Sequence, residues 1–229
     1  MLGFTLSSAR WPEVEAGPRR LLVVPLGSLE QHGPHLPMDT DSRIAYFVAS
    51  HACAGRAGVG LAPPVAIGAS GEHADFPGTL SIGTAALSLM LVELGRHASL
   101  HWPAMLLVNG HGGNGSAITD AVSRLRDEGR ECYVWHAGLP GGDAHAGRTE
   151  TSLMLALAPS EVLLDRATAG DTRPIGELLP ELRAHGVRKV SPNGVLGDPA
   201  GASAAEGTRL LDLLVANLSE TLDSLLADA

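Results

Sequence analysis

The sequence predicts an α/β fold, a single domain over residues 1–229 built as a parallel-rich sheet with helices on both faces. Three observations carry that expectation. Short apolar runs recur and stop near glycine, helical patterns lie between them, and 229 residues without a composition break suit one sizeable core.

The elements follow in order. Residues 20–25 (Arg-Leu-Leu-Val-Val-Pro) are apolar with little alternation, as a strand buried on both faces requires. Residues 42–54 read as a helix, because Ile44, Ala45, Phe47 and Val48 fall on one face. Residues 68–83, with Gly68, Gly71, Gly78, Gly83 and Pro77, read as an irregular loop. A helix is expected over 84–100 with Thr84 as its cap, then a second buried strand over 104–109. Helix 116–128, a weaker third strand over 131–135, and helix 149–158 come next. Residues 186–201 again read as loop. The last helix, 204–226, carries Leu210, Leu211, Leu213, Leu214, Val215, Leu218, Leu222 and Leu225, an apolar stripe expected to cover the sheet.

Bulk properties narrow the function. The formal charge of −9, with no clustered basic face and few aromatics, argues against a nucleic-acid partner. No apolar run approaches the length of a membrane span, and the first 18 residues lack a basic segment followed by an apolar core. The reading is therefore a cytoplasmic protein with no membrane partner. Cys53 and Cys132 stand far apart without a paired spacing, which indicates neither a disulfide framework nor a thiolate zinc site.

Three clusters carry chemistry. The first, 27–41 (Gly-Ser-Leu-Glu-Gln-His-Gly-Pro-His-Leu-Pro-Met-Asp-Thr-Asp), follows the first strand. In extended chain Glu30 and His32 point the same way and Gln31 points opposite. Asp41 falls at a helix start, where a carboxylate is favoured and can offer its two oxygens to two cations about 3.5 to 4 Å apart. The second cluster, 109–114 (Asn-Gly-His-Gly-Gly-Asn), sets His111 between glycines directly after the second strand. The third, 141–152, holds His145 and Glu150 ahead of a helix. Each has a plain alternative: solvated loop residues for Glu30, His32, Asp41 and His111, and a first-turn carboxylate complementing the helix dipole for Glu150. The functional alternative is a site of carboxylate and imidazole donors suited to Zn, Mn or Fe, with His145 as a proton donor beside it. Ligands of a parallel sheet bind at the carboxyl ends of strands, where the first two clusters lie.

Residues 25–37, 109–114, and 145–147 with 150–152 resemble the three signature stretches of the creatininase family of metal-dependent amidohydrolases. The resemblance implies α/β/α layers, a homo-oligomer and two divalent metal ions. It places Glu30, Asp41 and His111 on one ion, His32 with a bridging Asp41 on the other, and His145 on the family's catalytic histidine. One departure stands out: creatininase itself supplies a glutamate to the second ion from the position that is Gly113 here, and Glu150 is the expected replacement. Further stretches, 68–73 with 78–84 and 194–199 with 204–207, resemble the branch of the family that acts on a modified ribosomally made precursor peptide, releasing its C-terminal modified Val-Tyr portion. Glu72 and His73 are then the expected substrate contacts. The rival expectations are hydrolysis of a small cyclic amide such as creatinine, removal of a formyl group, and non-catalytic capture of the precursor.

Overall fold

The structure, a computed structural model, describes residues 4–228. Among these residues five strands form one parallel sheet: β1 (Phe4–Thr5), β2 (Leu21–Leu26), β3 (Val59–Leu61), β4 (Ala104–Asn109) and β5 (Glu131–His136), in the spatial order β1-β3-β2-β4-β5. The helices are α1 (Trp11–Ala16), α2 (Thr40–Cys53), α3 (Thr84–Ala98), α4 (Gly115–Asp127), α5 (Arg148–Leu157), α6 (Ile175–His185), α7 (Val187–Val190) and α8 (Ala204–Asp228). None of them is long and apolar enough to cross a membrane.

The unbroken apolar character of β2 and β4 has a direct cause: each strand feeds two cores. Leu21, Val23, Leu106 and Val108 face a cluster with Ile44 and Val48 of α2, Leu153 and Met154 of α5, and Leu211, Leu214, Leu218 and Leu222 of α8. Their neighbours Leu22, Val24, Leu26, Met105 and Leu107 face Leu87 and Leu91 of α3 and Ile118 and Leu125 of α4. Period-two alternation thus divides residues between two buried faces. A fully buried Leu contributes roughly 1.5 to 3 kcal/mol. The leucine stripe of α8 packs on α2 and α5, while Leu213 faces outward.

Several expectations needed correction. The loop expected over 186–201 opens with the single helical turn α7, whereas 68–83 is irregular apart from a 3-10 turn at Gly71–His73. Thr84 does not cap α3; Gly83, at φ 77°, stands at the cap and Thr84 is the first helical residue. β5 is a full six-residue strand paired with β4 from Ala104–Glu131 to Asn109–His136. Strands β1 and β3 and helices α1 and α6 had no sequence expectation.

The topology places the site. β2 leads through α2 to β3 on one side, and β4 leads through α4 to β5 on the other. The crevice between the carboxyl ends of β2 and β4 is therefore the switch point where doubly wound sheets bind ligands. The first two signature clusters leave the sheet there.

Candidate active site

Register brings the clusters together. β2 and β4 pair residue for residue, ending at Leu26 opposite Asn109, so the segments leaving them start side by side. Two asparagines then pin the second segment: Asn109 Nδ2 donates to His111 O at 2.7 Å, and Asn114 Nδ2 donates to Asn109 Oδ1 at 3.1 Å and to Gly27 O at 3.0 Å. Asn114 Oδ1 accepts from Ala69 N at 2.9 Å, which ties the 68–83 loop to the same point. Asp41 lies in the first turn of α2, and Ser28 Oγ donates to its Oδ2 at 2.8 Å.

The third cluster arrives from the far end of β5. His145 N donates to Leu196 O and Leu196 N donates back to His145 O, so a short bridge to the 194–197 segment holds the histidine in place. Ala146 adopts φ +52°, an uncommon left-handed conformation that turns the chain between His145 and α5. Its N–H donates to Glu150 Oε2 at 2.6 Å, while Asp143 Oδ2 accepts from Thr149 N at 3.1 Å. Asp143 thus satisfies a first-turn N–H of α5, Glu150 satisfies that of Ala146 just before it, and Gly147 stands at the cap.

All six predicted residues of the three clusters converge. Asp41 sits at the middle, with Oδ1 3.0 Å from His32 Nε2 and Oδ2 3.1 Å from His111 Nδ1. Glu30 Oε2 is 3.1 Å from His111 Nε2, and Glu150 Oε2 is 3.9 Å from His32 Nε2. His145 Nδ1 lies 3.8 Å from Glu30 Oε1. Donor atoms of Glu30, Asp41 and His111 lie close enough together to hold a cation, as do those of His32, Asp41 and Glu150, and those of Glu30, His32 and His145.

The electrostatics describe a site built for positive charge. Burial is the largest influence on Glu30 and pushes its carboxyl up to about 7; neither oxygen has a hydrogen-bond partner, although imidazole nitrogens stand close by. Buried carboxylate oxygens left without donors are rare and costly, and a metal ion is a partner that would satisfy them. Burial also pushes Glu150 up to about 7. Burial alone would lower His32 and His111, but the Asp41 carboxylate raises His32 to about 10, and Glu30 with Asp41 raises His111 to about 9. Asp41 is held well below its ordinary range because His32 and His111 outweigh its burial. The donor set of carboxylate oxygen and imidazole nitrogen without thiolate suits Zn, Mn or Fe. Cys53 and Cys132 are buried elsewhere, their thiols pushed up to about 12 and about 11 by burial.

The two predicted substrate contacts come from the Gly71–His73 turn. Both line a cavity of about 760 Å³ above the cluster, together with Leu139, Ile175, Leu179 and Arg183. Glu72 Oε1 stands 3.6 Å from His111 Nε2, and a Cβ on Gly113 would run into that carboxylate, into His111 Nε2 and into Ala69 O. Position 113 therefore has no room for a side chain, and Glu72 occupies the space where one would project. His73 is buried, with Nε2 3.2 Å from Glu30 Oε1.

Gln31 departs from the alternation expected of extended chain. Strand β2 ends at Leu26; Leu29 then bridges Leu80 and His32 bridges Leu36, so the side chain of Gln31 stays with the histidines, 2.9 Å from His73 Nδ1 and 3.0 Å from His145 Nε2. The signal that sequence offered was Gly33, two residues on, whose N–H donates to Gln31 Oε1 at 2.8 Å.

Comparison with known proteins identifies the family. The family model described as creatininase, creatinine amidohydrolase, matches residues 7–222. The chain is 53% identical over 201 residues to the mycofactocin precursor peptide peptidase of Mycolicibacterium smegmatis, a match covering 85% of this chain and 81% of that relative. A solved creatininase variant superposes with a TM-score of 0.80 at 27% identity, over 97% of this chain and 98% of that one. Two further solved forms are named as a Zn-Zn type and as creatininase Mn, with TM-scores of 0.75 and 0.73 at 25% and 26% identity, each over at least 96% of both chains. By the span of the family match and the identity to its relatives, the chain belongs to the creatininase family.

Proposed function

We propose that this protein is a metal-dependent peptidase that cleaves the mycofactocin precursor peptide at the amide bond before its modified C-terminal Val-Tyr portion. The observation that carries the chemistry is Glu30, fully buried with both oxygens lacking hydrogen-bond partners and set among the donors of three converging loops. The similarity to a peptidase of that name supports the substrate. The cavity, about 760 Å³, has room for a peptide end.

Glu30, Asp41 and His111 would hold one divalent ion, and His32, Asp41 and Glu150 the second, with Zn, Fe or Mn as the candidates. Bound there, the ions would polarise the scissile carbonyl and bring the pKa of a water molecule to about 7. His145 supplies the proton traffic. Burial, with His32 and His73 nearby, holds it well below its ordinary pKa and hence neutral. Its Nε2–H donates to Gln31 O at 2.8 Å, leaving the Nδ1 lone pair toward the site. His145 Nδ1 takes the proton of the attacking water and delivers it to the leaving nitrogen as the amide C–N bond breaks. Glu72 contacts the peptide from the cavity wall. One domain over residues 1–229, assembly as a homo-oligomer and a cytoplasmic location complete the proposal.

The test is cleavage of the modified precursor by purified protein. Activity should vanish on chelation and return with a divalent metal, and creatinine should be a poor substrate beside the peptide. Activity that survives exhaustive chelation overturns the mechanism. Two variants separate the roles. His145→Ala should lower kcat by about 10² to 10⁴-fold with metal content unchanged; a site emptied by that change would refute the assignment. Glu150→Gln should leave one ion bound and weaken the other by at least the roughly 10- to 100-fold that loss of a supporting partner costs. Two ions retained at wild-type affinity, measured by metal analysis and calorimetry, would remove Glu150 from the second site.

A further inference from the structure

The side-chain amide of Gln31 is fixed from several directions. Its Oε1 accepts from Gly33 N at 2.8 Å, so its nitrogen is the end that faces the imidazoles. That nitrogen donates to Gly194 O at 3.0 Å and to His73 Nδ1 at 2.9 Å, which uses both of its hydrogens. His73 therefore accepts at Nδ1 and carries its proton on Nε2. His145, donating Nε2–H to Gln31 O, carries its lone pair on Nδ1. The 3.0 Å approach of Gln31 Nε2 to His145 Nε2 is then a contact between two donors whose hydrogens point to other acceptors.

The outcome is an asymmetry at the site. His73 Nε2 and His145 Nδ1 lie 3.2 and 3.8 Å from the same oxygen of Glu30, one carrying a hydrogen and the other a lone pair. Neither closes a hydrogen bond with that oxygen, and both residues line the cavity. The backbone around Gln31 is shaped for the amide. Gly33 and Gly194 have φ +65° and +82°, and a Cβ on Gly194 would collide with the Gln31 carboxamide.

We propose that Gln31 is a positioning residue that holds His73 and His145 in complementary presentations, a donor N–H at His73 Nε2 and an acceptor lone pair at His145 Nδ1. The substrate's amide oxygen then finds a donor on one imidazole while the attacking water finds an acceptor on the other. This rests on the amide-hydrolysis reading for its use, but not for its geometry.

The experiment reads ring protonation directly. In metal-free protein labelled with ¹⁵N-histidine, NMR should show His73 and His145 both protonated at Nε2 and bare at Nδ1. Gln31→Glu, read at a pH high enough to ionise the new carboxyl, keeps the shape of residue 31 but gives it a side chain that only accepts, so the proton of His73 should move to Nδ1. His145 should keep its form, because its acceptor is the main-chain oxygen of residue 31. The metal-loaded variant should keep wild-type metal content and KM while kcat falls about tenfold or more. A wild-type His73 protonated at Nδ1, a variant His73 bare at Nδ1, or an unchanged kcat in a variant whose His73 has switched would each overturn the proposal. The ring protonation is read without metal or substrate. Failure of the hydrolase reading would appear instead as a wild-type protein that cleaves no amide, a result distinct from a misplaced proton.

Discussion

Asp41→Asn should empty both cation positions and lower kcat/KM by roughly three orders of magnitude, about 4 kcal/mol of transition-state stabilisation. Asp41 belongs to both donor groups assigned to the two ions, with Oδ1 facing His32 and Oδ2 facing His111. Asparagine keeps the shape and one oxygen, but it removes the negative charge between the two groups and puts an NH₂ where one of them needs a lone pair. Substitutions at Glu30 or Glu150 each disturb one side of the site, so Asp41→Asn should exceed either in lost metal. Metal analysis after dialysis checks this. Two ions retained in Asp41→Asn would mean that Asp41 does not link the positions.

Glu30→Gln should reverse the order of stability according to whether metal is present. Burial holds the Glu30 carboxyl at about 7, against an ordinary 4.5. Between those values the unfolded chain has released its proton and the folded chain has kept it. Stability of the metal-free protein therefore falls as pH rises through that window, and the deficit persists above it. Glutamine has no charge to bury. Metal-free Glu30→Gln should be the more stable form at about pH 8, by an amount on the order of 1 to 3 kcal/mol, the cost of ionising a carboxyl whose charge burial disfavours. The advantage should shrink toward about pH 4.5. With metal at about 1,000 times its dissociation constant the wild type should gain about 4 kcal/mol, and the variant much less. Denaturant unfolding with and without metal measures both signs. A metal-free variant less stable than wild type at pH 8 would show that Glu30 is satisfied without a cation.

Sequence pattern revealed the parts of this fold where apolar residues do two jobs. β2 and β4 were legible because both faces of each strand are buried, and α2, α3, α4, α5 and α8 because each presents an apolar stripe to a core. The missed elements lack that signal. β3 is Val-Gly-Leu, three residues whose central glycine lies under the Trp102 ring, too short to show a period. α6 carries Pro180 within it and buries only Leu178 and Leu182, packed on a satellite cluster rather than on the sheet. The cap of α3 was misplaced because the backbone of Gly83 stands where Thr84 was expected to cap.

The site was legible for a different reason. Glu30, His32, Asp41, His111, His145 and Glu150 stand at element junctions, where acidic and imidazole side chains have little packing role. Gln31 was hidden by the extended-chain rule itself, which assumes that the strand continues; it had ended at Leu26. Gly113 gave the opposite kind of signal. Its missing side chain marks a volume already taken by Glu72, which arrives from the Gly71–His73 turn.

Anomalous diffraction from crystals grown with Mn or Zn would locate the ions. Two peaks per chain are expected at coordination distances of about 2.0 to 2.2 Å, one on Glu30, Asp41 and His111 and the other on His32, Asp41 and Glu150. Crystals in which those side chains hold no ion, at metal concentrations that sustain precursor cleavage, would contradict this placement.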